Sequence, residues 1–256
     1  MSHWYDKEGN PKYEVSGKNG KRPSTLRDAR KFGWVPSVST IWGEIVNRHL
    51  LNKWTQTELM KAFHLITVDS HGILSFEEVE KLARNNFGKK QQETMNRGTV
   101  IHDHLELYFK GIDIGEQYKS LCHNVHRKLD EVCGSQEWEV EKSFSHPSGY
   151  GGKTDLCSDQ WVVDFKTKEF PGKPDIPSIK KMVYDDHGVQ LAAYDQGLVT
   201  TVTGSRRLLN LFIDVGEGHR VLEWEHEDIP RFREMFNSAL SLWKLTKKYN
   251  PEWHTT

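Results

Sequence analysis

Residues 151–168 read GGKTDLCSDQWVVDFKTK. The stretch alternates like two adjacent strands, yet Asp155, Asp164 and Lys166 stand where strand residues should pack. Thr154–Cys157 and Gln160–Thr167 read as hairpin strands joined through Ser158 and Asp159. A two-residue loop sets Asp155 opposite Val162, and alternation then puts Asp155, Asp164 and Lys166 on one face. A three-residue loop would break that arrangement. Val162 shares the face, so it starts buried and turns polar toward the far end of the strand.

Two carboxylates about 4 Å apart repel by roughly 4 kcal/mol at an effective dielectric of about 20. Compensation by Lys166 alone would make a surface ion pair worth about 0–1 kcal/mol. Compensation by a divalent cation is the other solution, because Mg²⁺ and Mn²⁺ take hard oxygen ligands: one or two carboxylates, water and substrate phosphate. The company of the stretch favours the cation. RGTVIHDHLELYFKG (97–111) sets His102 and Glu106 four apart on one helix face, and VQLAAYDQG (189–197) does the same for Gln190 and Tyr194. Glu139 or Glu141 precedes the hairpin on a neighbouring strand. Strand parity puts both on one face and does not choose between them.

The chain around these residues is helical first and mixed later. PSVSTIWGEIVNRHLLNKW (36–54) offers Ser37 or Ser39 as a helix cap, followed by Ile41, Ile45, Leu50, Leu51 and Trp54 at helical spacing. Further helices are expected at 75–85 and 99–110. From Glu137 the period becomes two. RRLLNLFIDV (206–215) and HRVLEWEHE (219–227) read as strands, HGVQLAAYDQGLVT (187–200) as a helix, and 228–249 as an amphipathic helix with Phe232, Met235, Phe236, Ala239, Leu240 and Trp243 inward. The expected fold class is therefore α/β or α+β, a sheet covered by helices. TVDSHGILSFEE (67–78) matches a calcium loop at Gly72 and Glu78, but Thr67 and His71 occupy ligand positions, so a turn and a Ser75-capped helix explain it better.

Composition narrows the partners. The formal net charge is −1 over 256 residues, so no global positive field announces nucleic acid, and any contact must come from local cations. Candidates are Lys18, Lys21 and Arg22, then Lys89 and Lys90, then Lys244, Lys247 and Lys248. Three cysteines, Cys122, Cys133 and Cys157, lack metal or redox spacing. No apolar leader, long apolar run or Arg- and Ser-rich leader is present, so a soluble, intracellular protein with no membrane partner is expected, rather than an unprocessed mitochondrial form.

The order of a helical G-x-x-x-H (Gly98 to His102), a strand glutamate, G-x-x-D (Gly152 to Asp155), D-F-K-T (Asp164 to Thr167) and Q-x-x-x-Y (Gln190 to Tyr194) resembles the RecB-like branch of the PD-(D/E)XK nuclease superfamily. Within it the chain is most similar to the mitochondrial genome maintenance exonuclease group and its phage and bacterial relatives. PSVSTI followed by LLNKW resembles the opening segment of that group, so the likeness spans about residues 34 to 200. The resemblance implies a restriction-endonuclease-like core over 96–256, a helical addition over 36–95 that is a candidate DNA passage, and a flexible basic and aromatic arm over 1–35.

It also implies roles. Asp155, Asp164, the Phe165 carbonyl and His102 would hold Mg²⁺ or Mn²⁺, and Lys166 would orient the attacking water. Glu139 or Glu141 would assist, while Gln190 and Tyr194 would brace the lysine. The expected activity is a metal-dependent DNA exonuclease acting on single-stranded ends in replication, recombination or repair. A flap or junction endonuclease and a non-catalytic DNA-binding protein are the alternatives. The iron–sulfur cluster of some members needs four cysteines, so none is expected here.

Overall fold

The computed structural model describes residues 3–18, 20–46, 49–71, 73–170, 179–198, 206–216 and 220–251, with the backbone alone for 49–54. The chain divides into two compact units, Met1–Val46 with His102–Thr256, and Asn47–Ile101. The boundary expected at residue 95 thus falls at 101, and residues 1–46 belong with the C-terminal half.

The N-terminal segment is folded rather than a loose arm. Strand β1 (Trp4–Tyr5) pairs antiparallel with β4 (Val35–Pro36), and between them lie the exposed hairpin β2 (Glu14–Gly17) and β3 (Gly20–Pro23) and helix α1 (Leu26–Phe32). Trp4 and Tyr5 are buried, and the Trp4 ring lies 6.2 Å from that of Trp243. Apolar burial outweighs the polar composition that made this segment read as an arm. Thr25 and Asp28 form a capping box at the start of α1, and Gly33 closes it in the left-handed conformation. Ser37 caps α2 (Val38–Ile45), its Oγ accepting from the Thr40 N–H at 3.0 Å.

The second unit is a helical hairpin. Its helices are α3 (His49–Asp69) and α4 (Phe76–Phe109), whose last residues from His102 belong to the first unit. The two helices expected at 75–85 and 99–110 are one, since Gly88 and Gly98 each cost only about 1 kcal/mol in a helix interior. The Ser75 N–H donates to Glu78 at 2.8 Å and the Glu78 N–H to Ser75 at 3.3 Å, a capping box that accounts for Glu78 without calcium. Gly72, Asn19, His219 and the side chains of the LLNKW segment, Trp54 included, lie outside the described residues.

The first unit continues with α5 (Glu116–Cys133), β5 (Glu139–Val140), the hairpin β6 (Ser143–His146) and β7 (Tyr150–Lys153), β8 (Leu156–Cys157), β9 (Trp161–Lys168), α6 (Asp185–Gly197), β10 (Arg207–Asp214), β11 (Val221–His226) and α7 (Ile229–Lys247). The central sheet is mixed, in the order β11-β10-β9-β8-β5, which is the α/β class expected. β9 and β10 are parallel over eight pairs, from Arg207↔Trp161 to Asp214↔Lys168. Parallel neighbours need a crossover, and the chain between them carries α6. Val162 and Leu208 join Val189, Leu191, Ala192 and Ala193 of α6 and Phe232, Phe236, Ala239, Leu240 and Trp243 of α7 in the main core. Among the described residues no helix is long and apolar enough to cross a membrane.

Glycines matter where rings pass the backbone. A Cβ on Gly152 would lie 2.7 Å from the Tyr194 ring, and one on Gly197 would lie 1.9 Å from the Phe144 ring. Gly197→Ala is expected to cost about 1–3 kcal/mol by overpacking and to lower the thermal midpoint by several degrees. An unchanged midpoint in a calorimetric scan would show that Phe144 has another position to take.

Candidate active site

The register of the β8–β9 hairpin decides what stands together. Cys157 pairs with Val162 and Leu156 with Val163, two residues on from the expected register, because the Ser158 N–H donates to the Trp161 carbonyl at 2.9 Å and the turn falls on Asp159 and Gln160. The Ser158 Oγ accepts from the N–H groups of Gln160 and Trp161 at 3.2 and 3.1 Å, which holds the turn at that position. A shift of two leaves alternation unchanged, so Val162, Asp164 and Lys166 still share a face. Asp155, however, precedes the first residue of β8 and is not set by alternation. Its carboxylate reaches over the strand edge, where Oδ2 accepts the Phe165 N–H at 2.6 Å.

On the α6 face, Asp164 and Lys166 are gripped by one side chain. Lys166 Nζ lies 2.8 Å from Asp164 Oδ2 and donates to Gln190 Oε1 at 3.0 Å. Gln190 Nε2 donates to Asp164 Oδ1 at 3.2 Å and to the Tyr194 hydroxyl at 2.9 Å. Helical i, i+4 spacing thus carries the strand pair through Gln190 to Tyr194, and Gly152 leaves the space for the Tyr194 ring. Asp164 is 5% exposed, so each of these contacts acts in a desolvated setting.

Sequence reasoning missed two residues of this network. Asn210 sits opposite Asp164 in the parallel ladder, and its Nδ2 donates to Asp164 Oδ2 at 2.8 Å and to the Asp164 carbonyl at 3.1 Å. Asn210 Oδ1 therefore accepts from His226 Nε2 at 2.8 Å, which fixes the His226 tautomer. The available signal was an asparagine in the middle of the apolar run RLLNLFID, since a fully buried amide needs partners.

At the open edge of β9 stand His102 and Glu141. His102 Nδ1 is 3.4 Å from Asp155 Oδ1, and its ring meets that of Phe165 edge-on at 6.1 Å. The parity argument for Glu139 and Glu141 fails because β5 ends at Val140 and Glu141 takes a left-handed φ of 54°, its N–H donating to the Asp155 carbonyl at 2.9 Å. Glu141 consequently turns into a narrow recess with His102, Glu106, Asp155 and Phe165, where Lys153 pairs with it. Glu139 is exposed and pairs with Lys142 at 2.7 Å, away from that recess. Glu106 also pairs with Lys110.

Burial and mutual charge set the protonation pattern. Burial would raise the Asp155 carboxyl, but the hydrogen bond and charge of His102 and the Phe165 N–H bring it below the usual range. Asp164 is held above its usual range by burial and by the nearby Asp155 charge, which outweigh Lys166. Desolvation opposes a proton on His102, but Asp155 and Asp164 favour it, and its pKa rises. Burial keeps Tyr194 a neutral phenol. All three cysteines are buried, and burial pushes Cys122 up to about 11 and Cys133 up to about 12.

Among the described residues no three His, Cys, Asp or Glu side chains close on one point as a ready cage. The donors that converge at the open edge are Asp155 Oδ1, His102 and the Phe165 carbonyl, which lies on the same strand edge as the Phe165 N–H. Asp164 Oδ1 follows on the adjoining face. Carboxylate and carbonyl oxygens with one imidazole suit Mg²⁺ or Mn²⁺, and two buried carboxylates have charge to offer one.

No protein-family model matches the chain, and no curated protein matches it. Solved structures similar to it include a Eubacterium rectale protein provisionally named an exonuclease, at 9% identity and a TM-score of 0.41, covering 59% of this chain and 68% of that one. An alkaline exonuclease from Laribacter hongkongensis is similar at 15% identity and a TM-score of 0.32, covering 54% of this chain and 74% of its own. That enzyme has also been solved with dAMP, at a TM-score of 0.29. Likeness at this level leaves the functional reading to the residues themselves.

His226 is lowered by burial to about 4, and His187 by burial and the nearby lysines to about 3, both from an ordinary 6.5. The unfolded chain therefore binds more protons below pH 6.5, so stability is complete above that pH and is lost as pH falls toward 4. At pH 5 each histidine should cost about 2 kcal/mol. Urea unfolding at pH 7.5 and 5.0 measures the loss. His226→Gln should shrink it, and an identical loss in that variant would remove His226 from the account.

Proposed function

We propose that the chain is a metal-dependent deoxyribonuclease that hydrolyses phosphodiester bonds from the free ends of single-stranded DNA. The observation that carries this reading is the shared grip of Gln190 on Asp164 and Lys166, beside an Asp155 and His102 drawn to the unpaired edge of the same strand. A buried Asp and Lys two residues apart on a strand would be explained by a plain ion pair, except that a second buried carboxylate stands next to them.

Bound Mg²⁺ or Mn²⁺, held by Asp155, Asp164, the Phe165 carbonyl and His102, would supply Lewis-acid polarisation of the scissile phosphate and a more acidic attacking water. The chain's own residues do the rest. Lys166, fixed by Gln190, presents a cation whose value rises in a partly dry site as charge builds on the phosphate oxygens. Gln190 keeps Lys166 from collapsing wholly onto Asp164, and Tyr194 keeps Gln190 in that orientation. Asn210, itself oriented by His226, holds Asp164 by one oxygen and so leaves the carboxylate a single presentation. Glu141 is the acidic residue that fits the role left open between Glu139 and Glu141, because it faces Asp155 and His102.

End-labelled linear and covalently closed circular single-stranded DNA, incubated with Mg²⁺, Mn²⁺ or EDTA, tests the reading. Linear DNA should be degraded with either metal and spared in EDTA, while circles survive. Cleaved circles would make the protein an endonuclease, and inert DNA of every form with metal supplied would sink the nuclease reading. Lys166→Ala should lower turnover by about 10²–10³-fold with folding and metal titration near normal. Asp164→Asn should weaken metal binding as well, and an unchanged titration would take Asp164 out of the metal site.

A further inference from the structure

Away from the candidate site, α1 and the end of α7 bring cations onto one surface. Arg27, Arg30 and Lys31 of α1 recur at i, i+3 and i+4 and so share a helix face, while Lys247 ends α7 and Lys248 follows it as a left-handed cap. The two helices are tied together. Arg30 Nη2 donates to the Lys247 carbonyl at 2.6 Å, and the Tyr249 hydroxyl reaches the carbonyls of Ala29 at 2.9 Å and Trp34 at 2.8 Å. Two of the acids nearby are already engaged. Asp28 faces inward and is held by both terminal nitrogens of Arg22 at 2.8 Å, and Glu44 pairs with Lys247 at 3.1 Å. In a chain whose net charge is −1, this is a strong local excess.

Exposed helix cations are most often only solvated, but here one of them lies beside an aromatic platform. Phe32 is 52% exposed and stacks on Trp34 at 4.9 Å with an interplanar angle of 25°. Lys31 Nζ lies 4.9 Å from the centre of the Phe32 ring. Leu245, 75% exposed, adds apolar surface at the end of α7. A flat, supported ring open to solvent among cations is the arrangement that binds single strands, since every base has a face to stack and every phosphate needs a counter-charge.

We propose that this surface is a second binding track for single-stranded nucleic acid, with a base stacked on Phe32 and phosphates neutralised by Arg27, Lys31 and Lys248. That the bound strand is also the substrate rests on the nuclease reading; the binding itself does not. α7 links the two places. The Phe232 ring lies against Gly188, two residues before Gln190, and Lys247 follows fifteen residues later, about 22 Å along a helix. A strand must therefore be several nucleotides long to occupy both.

Fluorescence anisotropy of labelled oligo(dT) in EDTA, with a short and a long oligomer, tests the track. Phe32→Ala should weaken binding of the long oligomer by about 5- to 100-fold and leave the short one nearly unchanged. Arg27→Ala with Lys31→Ala should lower the slope of log affinity against log salt by about 1.4. Unchanged long-oligomer affinity and salt slope in both variants would overturn the proposal, whereas equal losses for both lengths would keep the track and show that the short oligomer binds there too. An effect of the charge variant alone would reduce the surface to a general polyanion site and overturn the stacked base. Hydrolysis with Mn²⁺, measured in parallel, separates the two readings. Length-dependent binding without hydrolysis keeps the track and removes the nuclease, whereas hydrolysis with variant-insensitive binding does the reverse.

Discussion

β9 has two neighbours along its first half and one along its second, because β8 begins only at Leu156, opposite Val163. Beyond that point the Phe165 N–H has no strand to bond, and a buried amide cannot stay unpaired without cost. Asp155 meets that need with its carboxylate. The same bond sets a second acid beside Asp164 and opens the strand edge to His102 and Glu141. The unpaired half-strand is thus the condition for the rest of the site, and a fully paired β9 would have no room for it.

The second constraint is charge. Two buried carboxylates repel unless each is separately held, and the structure holds them by different means. Asp155 is tied to a main-chain amide and an imidazole, and Asp164 to an ammonium and two side-chain amides. Gln190 is the common member, touching both charged residues of the D-x-K pair and Tyr194. Gly152 belongs to the same device, since any side chain there would strike the Tyr194 ring.

Elements with strong periodicity were legible: β9, β10, α6 and α7 stand where alternation and helical spacing put them, and the inward residues of α7 are those of its apolar stripe. What escaped was governed by contacts that leave no local period. The hairpin loop was misplaced because Ser158 bonds two successive amides and moves the turn one residue on, to Asp159 and Gln160. The choice between Glu139 and Glu141 turned on a left-handed φ at a residue other than glycine, which no alternation rule anticipates. Trp4 and Tyr5 sit among polar residues, and partners far along the chain, Trp243 for Trp4 and Gly151 for Tyr5, help to make them core. Asn210 was visible as a polar residue in an apolar strand, but its meaning lay in the register of a parallel neighbour. The site residues gathered from the motifs were readable one by one; their mutual bonds were not.

The ring contact between Trp4 and Trp243 has a consequence for how the chain comes into being. Domains tend to fold as units during synthesis, at roughly 5–20 residues per second, but this unit is split in sequence by residues 47–101 and is completed from both ends. Trp4 and the face of α6 lack their α7 partners until α7 has been made. His226 and Asn210, which steady Asp164, arrive only shortly before it. The supports of the acidic cluster are thus made after the acids themselves, and a chain cut off before α7 would lack the aromatic residues that pack on Trp4 and α6.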